Sequence, residues 1–327
     1  MKYKMVVSDL DGTLLNSNHK LSQYTIDIIK KISEKGIKFV IATGRHYKDA
    51  RYFFNQIETG KYLISGNGSF VHNELGEVIS RKSISKELTK KLLELKVQEG
   101  TSTSIYIGGE WFTNLMVPDY IEFHKESKFT PKVCSLENFK DKKVEKIFFI
   151  HKDREVIEKL EKQLYELGLD KELNIATSQP TCLELMDKSV NKGEALKNLL
   201  EYEKISAEEV IAFGDALNDK EMLELVGKGV IMGNGDKKLQ NLLPNCEIIG
   251  TSDEESEGKF LEKIYKLFSR KRGSPQILRQ TSSFILFIHQ KYKGKYRKSY
   301  LQCRTIQGNI PQPFRAIILF SYFSGTI

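Results

Sequence analysis

Near its amino terminus the chain reads Tyr3-Lys4-Met5-Val6-Val7-Ser8-Asp9-Leu10-Asp11-Gly12-Thr13-Leu14-Leu15. The apolar run predicts a buried strand that ends in two aspartates, a glycine and a threonine. Residues i and i+2 of an extended chain point the same way, so Asp9 and Asp11 should converge on one small volume. Two carboxylates about 4 Å apart repel by about 4 kcal/mol at an effective dielectric constant of 20. Either the stretch is a surface turn, or a divalent cation, a proton or both lie between the carboxylates.

Strands and helices alternate after this stretch. Ser22 is the predicted N-cap of a helix that stops at Gly36, and residues 37–42 predict the next strand. A strand, a helix and a strand at this spacing form a βαβ unit, so the sheet should be parallel. Polar residues follow the carboxyl ends of several predicted strands, where open α/β sheets bind their ligands. They are Thr43-Gly44-Arg45, Asn67 and Gly214-Asp215-Ala216-Leu217-Asn218-Asp219.

The pattern changes in the middle of the chain. Residues 83–187 mix predicted helices, one of them at about residues 85–99, with strands in the manner of an α+β segment. The first pattern then resumes, with Asn191 as the predicted N-cap of one helix and a last helix predicted from about residue 253 to residue 268. The predicted fold class is therefore α/β, with a Rossmann-like doubly wound parallel sheet as its core and an inserted α+β cap domain. The core is expected to comprise residues 1–82 and 188–268.

Composition excludes several classes of protein. The four cysteines lie far apart and form no CxxC pair, which argues against a zinc site and against a disulfide framework. No window approaches 18 apolar residues, so we expect no membrane span. The start shows no signal-peptide pattern, so we expect a cytoplasmic protein.

Four motifs occur in a fixed order along residues 1–268: Asp9-x-Asp11-x-Thr13, Thr43-Gly44-Arg45, Lys192, and Gly214-Asp215-x-x-Asn218-Asp219. In this order they resemble the motifs of the haloacid dehalogenase superfamily. The insertion between the second and third motifs resembles that of the Cof-type phosphatases, which carry a type IIB cap. No Walker A loop is present, and no G-x-G-x-x-G pattern opens a helix.

The resemblance implies a role for each motif residue. It makes Asp9 the nucleophile that forms an aspartyl-phosphate, and it makes Asp11 the group that protonates the leaving alcohol and then activates water. Proton donation at neutral pH requires that the pKa of Asp11 be raised. It implies Mg²⁺ bound by Asp9, the backbone carbonyl of Asp11 and Asp215, with Asp219 orienting the groups around them. The residues expected to bind phosphate or substrate are Thr43, Gly44, Arg45, Asn67, Lys192 and Asn218.

The function implied is that of a Mg²⁺-dependent phosphatase acting on small phosphorylated metabolites such as sugar phosphates. In this interpretation the cap closes over the substrate and sets specificity. A phosphosugar mutase of the same superfamily is one alternative, since it shares the chemistry but returns the phosphoryl group to sugar. A nucleic-acid-binding protein that uses a basic tail is the other.

The carboxyl-terminal segment carries all of the excess positive charge. The formal net charge of the chain is +8, yet residues 269–327 hold 11 of the 51 Lys and Arg residues and no Asp or Glu, so residues 1–268 carry −3. Basic residues interleaved with aromatic ones suit binding to nucleic acid or to anionic membranes. We favour the plainer interpretation, a disordered or non-native segment such as a frame-shifted translation, because its charge is not patterned. Nucleic acid is therefore not the expected partner.

Overall fold

The computed structural model describes residues 2–267 of the chain. The basic tail predicted over residues 269–327 lies outside the described residues. The strands are Met5–Ser8 (β1), Lys38–Ala42 (β2), Gly60–Ser65 (β3), Phe70–Asn73 (β4), Val78–Arg81 (β5), Ser102–Ile107 (β6), Glu110–Thr113 (β7), Lys132–Val133 (β8), Lys146–Ile150 (β9), Leu173–Gln179 (β10), Cys182–Asp187 (β11), Val210–Gly214 (β12), Lys228–Ile231 (β13) and Glu247–Ile248 (β14). The α-helices are Gln23–Glu34 (α1), Tyr47–Ile57 (α2), Lys86–Leu93 (α3), Pro118–Phe123 (α4), Arg154–Glu166 (α5), Lys192–Glu203 (α6), Lys220–Leu225 (α7), Lys237–Leu242 (α8) and Ser256–Tyr265 (α9).

The larger sheet has the strand order β14-β13-β12-β1-β2-β3-β4-β5. Every neighbouring pair from β14 to β3 is parallel, as the βαβ pattern predicts, and β1 lies between β12 and β2. Strands β4 and β5 add an antiparallel hairpin at one edge, which the sequence did not predict. Both predicted N-caps, Ser22 of α1 and Asn191 of α6, accept a hydrogen bond from a backbone N–H of their helix.

Apolar side chains cover both faces of this sheet. On one face Val6 and Phe39 pack with residues of α1, α2 and α9. On the other face Met5 and Val7 pack with residues of α6, α7 and α8. Successive strand residues point to opposite faces, so a continuous apolar run such as Met5-Val6-Val7 belongs to a strand covered on both sides. The sheet is therefore doubly wound.

A second sheet lies between β5 and α6 in the chain and has the order β10-β11-β9-β6-β7-β8. Its strands pair antiparallel except for β7 with β8. One face packs against α3 and α5 through a separate apolar cluster that includes Phe149, Leu88 and Leu160. We call this sheet with α3, α4 and α5 the cap. The predicted fold class, a Rossmann-like sheet with an inserted α+β cap, is confirmed.

The exact domain boundaries remain predictions, and two element boundaries differ from expectation. Helix α3 was expected to reach about residue 99 but ends at Leu93, because Leu95 and Val97 leave the helix and pack against the cap core. Helix α9 begins at Ser256 rather than near residue 253, since Glu255 has a positive φ and separates it from the preceding 3-10 turn. Among residues 2–267, no helix is both long enough and apolar enough to cross a membrane.

Candidate active site

The motif residues meet at one edge of the larger sheet. Strands β3, β2, β1 and β12 are adjacent and parallel, so their carboxyl ends lie side by side. Asp9 follows β1, Thr43 follows β2, Asn67 follows β3 and Asp215 follows β12. The chain order of the motifs thus becomes a spatial cluster, as expected for an open α/β sheet.

The loop after β1 is a single wide turn. The backbone N–H of Leu15 bonds to the carbonyl of Leu10 at 2.8 Å, and Gly12 has φ +77°. A Cβ at Gly12 would lie only 2.4 Å from Oδ2 of Asp215, so this position requires glycine both for its backbone conformation and for the close approach. Thr13 donates a hydrogen bond from its hydroxyl to Oδ1 of Asp215 at 2.9 Å. The turn therefore ties the β1 loop to the β12 loop.

Three carboxylates form the acidic centre of the site. Oxygens of Asp9, Asp215 and Asp219 all lie within 4.8 Å of one another. Burial raises the pKa of Asp9, and the charges of Asp219 and Asp215 raise it further. Burial and the charge of Asp219 raise the pKa of Asp215 to about 6. Such mutual repulsion is what a divalent cation among the carboxylates would relieve, so the donor set fits a hard cation such as Mg²⁺.

Asp219 differs from the other two because both of its oxygens are already used. Its Oδ1 accepts from Lys192 at 2.7 Å, and its Oδ2 accepts from the backbone N–H groups of Asp215 and Ala216 at 2.9 and 3.0 Å. Three of its roughly four acceptor sites are thus occupied, which leaves Asp219 less free than Asp9 or Asp215 to bind a cation. The role implied by the resemblance, in which Asp219 orients the groups around the metal, stays a prediction.

Lys192 is the first residue of α6 and its side chain is fully buried. Its ammonium donates to Oδ1 of Asp9 at 2.6 Å as well as to Asp219. Burial acts to lower its pKa, but the charges of Asp219 and Asp9 raise it overall, so the side chain is charged. Lys192 therefore neutralises part of the acidic centre.

The carboxylate of Asp11 is not among the three that lie within 4.8 Å of one another, although its charge also raises the pKa of Asp9. The chain leaves the strand at Asp9, so the two-residue period no longer applies at Asp11. Asp11 instead accepts two hydrogen bonds from Arg45, at 2.7 Å from Nε and 2.6 Å from Nη2. Although burial acts to raise it, the hydrogen bonds from Arg45 and His19 lower the pKa of Asp11 to about 2. This direction is opposite to the one that proton donation requires.

The remaining predicted residues form a polar rim. The backbone N–H of Asn67 bonds to the carbonyl of Thr43 at 2.9 Å, and the amide of Asn218 donates to Oδ1 of Asn67 at 3.0 Å. A Cβ at Gly44 would lie 2.9 Å from the same Oδ1, which explains the glycine there. The backbone N–H of Arg45 bonds to the hydroxyl of Thr43 at 3.1 Å. These contacts link the loops after β2, β3 and β12.

A cavity of 1810 Å³ separates this sheet edge from the cap. Asp9, Asp11 and the rim residues line its floor, and cap residues including Lys146 and Glu184 line its roof. Sequence reasoning missed these two cap residues. A partial signal was available, because Lys146 begins an otherwise apolar strand and Glu184 is the one charged residue in the run Cys182–Met186.

Comparisons with known proteins agree on one group of relatives. A family profile described as haloacid dehalogenase-like hydrolase matches residues 6–261. A Haemophilus influenzae protein is 35% identical over 269 residues, which is 82% of this chain and 98% of that one. The HMP-PP phosphatase of Citrobacter koseri is 33% identical over 258 residues, covering 79% and 94% of the two chains. The crystal structure of a haloacid dehalogenase-like hydrolase from Bacteroides thetaiotaomicron superposes with a TM-score of 0.69 at 28% identity, covering 80% of this chain and 99% of that one.

Proposed function

This chain belongs to the haloacid dehalogenase-like hydrolases, and on that premise we propose that it is a Mg²⁺-dependent phosphatase that hydrolyses phosphate monoesters of small metabolites. The observation that carries the proposal is the position of Asp9. Its carboxylate borders the large cavity, bonds to Lys192 and lies within the acidic centre. A nucleophile, a fixed positive charge and a cation site thus occupy one small volume, as phosphoryl transfer requires.

The metal would be held mainly by Asp9 and Asp215, because Asp219 is engaged by Lys192 and by backbone N–H groups. The backbone carbonyl of Asp11 is the third ligand that we propose. When bound, Mg²⁺ would offset the negative charge of the carboxylates and of the phosphate. The other tasks fall to side chains of the chain itself.

Asp9 is the proposed nucleophile. A carboxylate oxygen of Asp9 forms a bond to phosphorus while the bond from phosphorus to the alcohol oxygen breaks, and the alcohol oxygen takes a proton from Asp11. Water then attacks the aspartyl-phosphate and gives its proton to Asp11, which restores Asp9 and releases phosphate. The charge of Lys192 opposes the rise in the pKa of Asp9 and so favours the ionised carboxylate. Thr43 and Asn218 would bind phosphate oxygens at the rim.

Asp11 performs both proton transfers in this scheme, yet in the structure Arg45 holds it as an ionised carboxylate. The ionised form suits the second step, in which Asp11 accepts a proton from water. The first step requires that the pair with Arg45 loosen when the substrate enters. We therefore propose that the arrangement described here is the resting state of the site.

Substrates are proposed on two grounds. Sugar phosphates suit a cavity that mixes polar and aromatic lining, and HMP-PP is suggested by the name of the Citrobacter koseri relative. A panel of phosphorylated metabolites that contains both would rank them by kcat/KM.

The test of the proposed function is phosphate release from p-nitrophenyl phosphate. We expect turnover with Mg²⁺, loss of turnover with EDTA and its return when excess Mg²⁺ is added. Asp9→Asn should remove activity, whereas Asp27→Asn, an exposed aspartate on α1, should keep it. Turnover that persists in Asp9→Asn would contradict the covalent mechanism. Turnover that is unchanged by EDTA would contradict the metal requirement.

A further inference from the structure

An ion pair lies in the roof of the cavity. The ammonium of Lys146, on β9, is 2.7 Å from Oε1 of Glu184, on β11. Their side chains are only 5% and 11% exposed, and both residues border the cavity. Neither belongs to the motifs at the sheet edge, so the mechanism proposed above leaves the pair without a role.

Strand alternation places the two charges on the cavity side of the cap sheet. In β9 Ile147 and Phe149 point to the cap core, which leaves Lys146 and Phe148 for the opposite face. In β11 Leu185 points to the same core, and Glu184 pairs with Phe148 across the strands. The charged pair therefore belongs to the face that looks onto the active site.

The pair does little for stability, because buried ion pairs and apolar replacements of similar volume are usually close in free energy. The two side chains can still form hydrogen bonds beyond the one between them. A lysine has three N–H donors and a carboxylate has about four acceptor sites. Besides the ion pair, Glu184 has a long contact of 3.5 Å from the amide of Asn67, and Lys146 lies 5.6 Å from the ring centroid of Tyr106. The remaining donors and acceptors are available to a molecule in the cavity.

Asn67 links the Lys146–Glu184 pair to the rim, where the phosphate of the substrate is expected to bind. Its backbone N–H bonds to the carbonyl of Thr43, and its side chain contacts both Asn218 and Glu184. The pair is thus one residue away from the rim at which phosphate is expected. A group bound there would be attached within a few bonds of the phosphorus.

We propose that Lys146 and Glu184 select the leaving group of the ester by binding hydroxyl groups close to its phosphorylated carbon. A hydroxyl both donates and accepts, so it can bond to the carboxylate and to the ammonium together, and two neighbouring hydroxyls can bridge the pair. An alkyl chain in the same place would leave two buried charged groups without hydrogen bonds to the substrate. Enzymes strongly reject a substrate that leaves buried polar groups of the site unpaired. This inference rests on the proposed phosphatase activity and names the substrate class, hydroxyl-bearing phosphate monoesters.

The test compares esters that differ only in hydroxyl groups. Three matched pairs serve: sorbitol 6-phosphate with n-hexyl phosphate, ribitol 5-phosphate with n-pentyl phosphate, and glycerol 3-phosphate with n-propyl phosphate. We expect the wild-type protein to prefer at least one hydroxylated member by about tenfold or more in kcat/KM. In the double variant Lys146→Met/Glu184→Met, which keeps the volume without charge, that preference should fall at least tenfold.

Two further variants separate selection from damage to the fold. Glu184→Gln keeps the shape of the side chain and should lower the preference in the same direction. Glu158→Gln, at an exposed glutamate of α5 that pairs with Arg154, should leave the preference unchanged. Thermal unfolding confirms that each variant is folded. The inference is overturned if the wild type shows no preference for any hydroxylated ester, even though it hydrolyses p-nitrophenyl phosphate, or if the preference is unchanged in the folded double variant. A wild-type protein that hydrolyses neither p-nitrophenyl phosphate nor any of the six esters would instead overturn the proposed function itself.

Discussion

Arg45 donates two parallel hydrogen bonds to the carboxylate of Asp11, one from Nε and one from Nη2. The same guanidinium bonds through Nη1 to Asp49 at 3.0 Å, and Asp49 lies 3.0 Å from Nδ1 of His124, a residue of the cap. The direction in which Asp11 points is therefore set by a chain of polar contacts that begins in the cap. A lysine could not reproduce the planar, two-pronged geometry of this contact.

Arg45→Lys should impair proton transfer by Asp11. The lysine keeps the charge but loses the paired hydrogen bonds that direct Asp11 towards the cavity before the substrate enters. A misdirected Asp11 should meet the leaving oxygen less often, so we expect kcat/KM for glycerol 3-phosphate to fall by about 10²-fold, within the usual contribution of general acid–base catalysis. The loss should be smaller for p-nitrophenyl phosphate, whose leaving group departs without a proton. Arg51→Lys, in the same helix but bonded to the carbonyls of Asn73 and Glu74, is the matched control. Equal losses on both esters would contradict the role given to the pair.

Gly12 and Gly36 offer a comparison in which backbone strain is held nearly constant. Both have positive φ, +77° and +81°, but a Cβ at Gly12 would meet Asp215 at 2.4 Å whereas a Cβ at Gly36 would meet nothing within 4 Å. We expect Gly36→Ala to lower the free energy of unfolding by about 1 kcal/mol and to keep activity. Gly12→Ala should displace Asp215 and reduce kcat by about 10²-fold or more. Denaturant unfolding and p-nitrophenyl phosphate turnover measure the two effects, and equal activities in the two variants would refute the steric argument.

Much of the site could be predicted from sequence because it is built from strand ends. Parallel strands that alternate with helices bring their carboxyl ends to one edge of the sheet. The sequence pattern alone therefore predicts that the residues after these strands lie together, and these residues include Asp9, Thr43, Asn67 and Asp215. The identity of each motif then came from its resemblance to a family. The fold class followed from the same alternation.

The sequence could not predict where side chains point once the chain has left a helix or a strand. Asp11 lies in a turn, where the two-residue period fails, so its partnership with Arg45 was hidden. The pair of Lys146 and Glu184 could not be predicted for another reason. The role of a charged residue in an apolar strand becomes clear only when the surface that it faces is known. Lys146 and Glu184 are 38 positions apart, and only the pairing of β9 with β11 brings them together.

Lys192→Met tests the electrostatic balance of the acidic centre. Removing the ammonium leaves Asp9 and Asp219 buried without their counter-charge, so we expect the free energy of unfolding to fall by about 3–5 kcal/mol and phosphatase activity to be lost. Adding Asp219→Asn should restore part of the stability but none of the activity. Lys197→Met, at an exposed lysine of the same helix, should change neither quantity. An active Lys192→Met protein would show that Asp9 needs no fixed positive partner.

Glu257 is a buried acid close to Asp9, the proposed nucleophile. It is 2% exposed and its Oε2 lies 2.7 Å from the hydroxyl of Ser8, which is also 2.8 Å from the carbonyl of Asp9. Burial raises the pKa of Glu257 from an ordinary 4.5 to about 8, and the hydrogen bond with Ser8 opposes the rise only in part. It borders a small cavity of 110 Å³ that is also lined by Lys20, Asp253 and Glu255. At neutral pH the carboxyl is therefore mostly protonated and can donate to Ser8, which in turn donates to Asp9.

Glu257→Gln should remove a pH dependence of stability. Because its pKa is higher in the folded chain than in the unfolded chain, the stability that Glu257 contributes is complete below about pH 4.5 and is lost as the pH rises towards 8. Glutamine donates to Ser8 at every pH, so at pH 9 the variant should exceed the wild type in free energy of unfolding by about 2–4 kcal/mol, and this advantage should vanish near pH 4.5. Urea unfolding at several pH values measures the difference, with Glu34→Gln, an exposed glutamate of α1, as the control. A difference that does not change between pH 4.5 and 9 would mean that the pKa of Glu257 is the same in the folded and the unfolded chain. The proton bridge from Glu257 through Ser8 to the backbone of Asp9 would then be wrong.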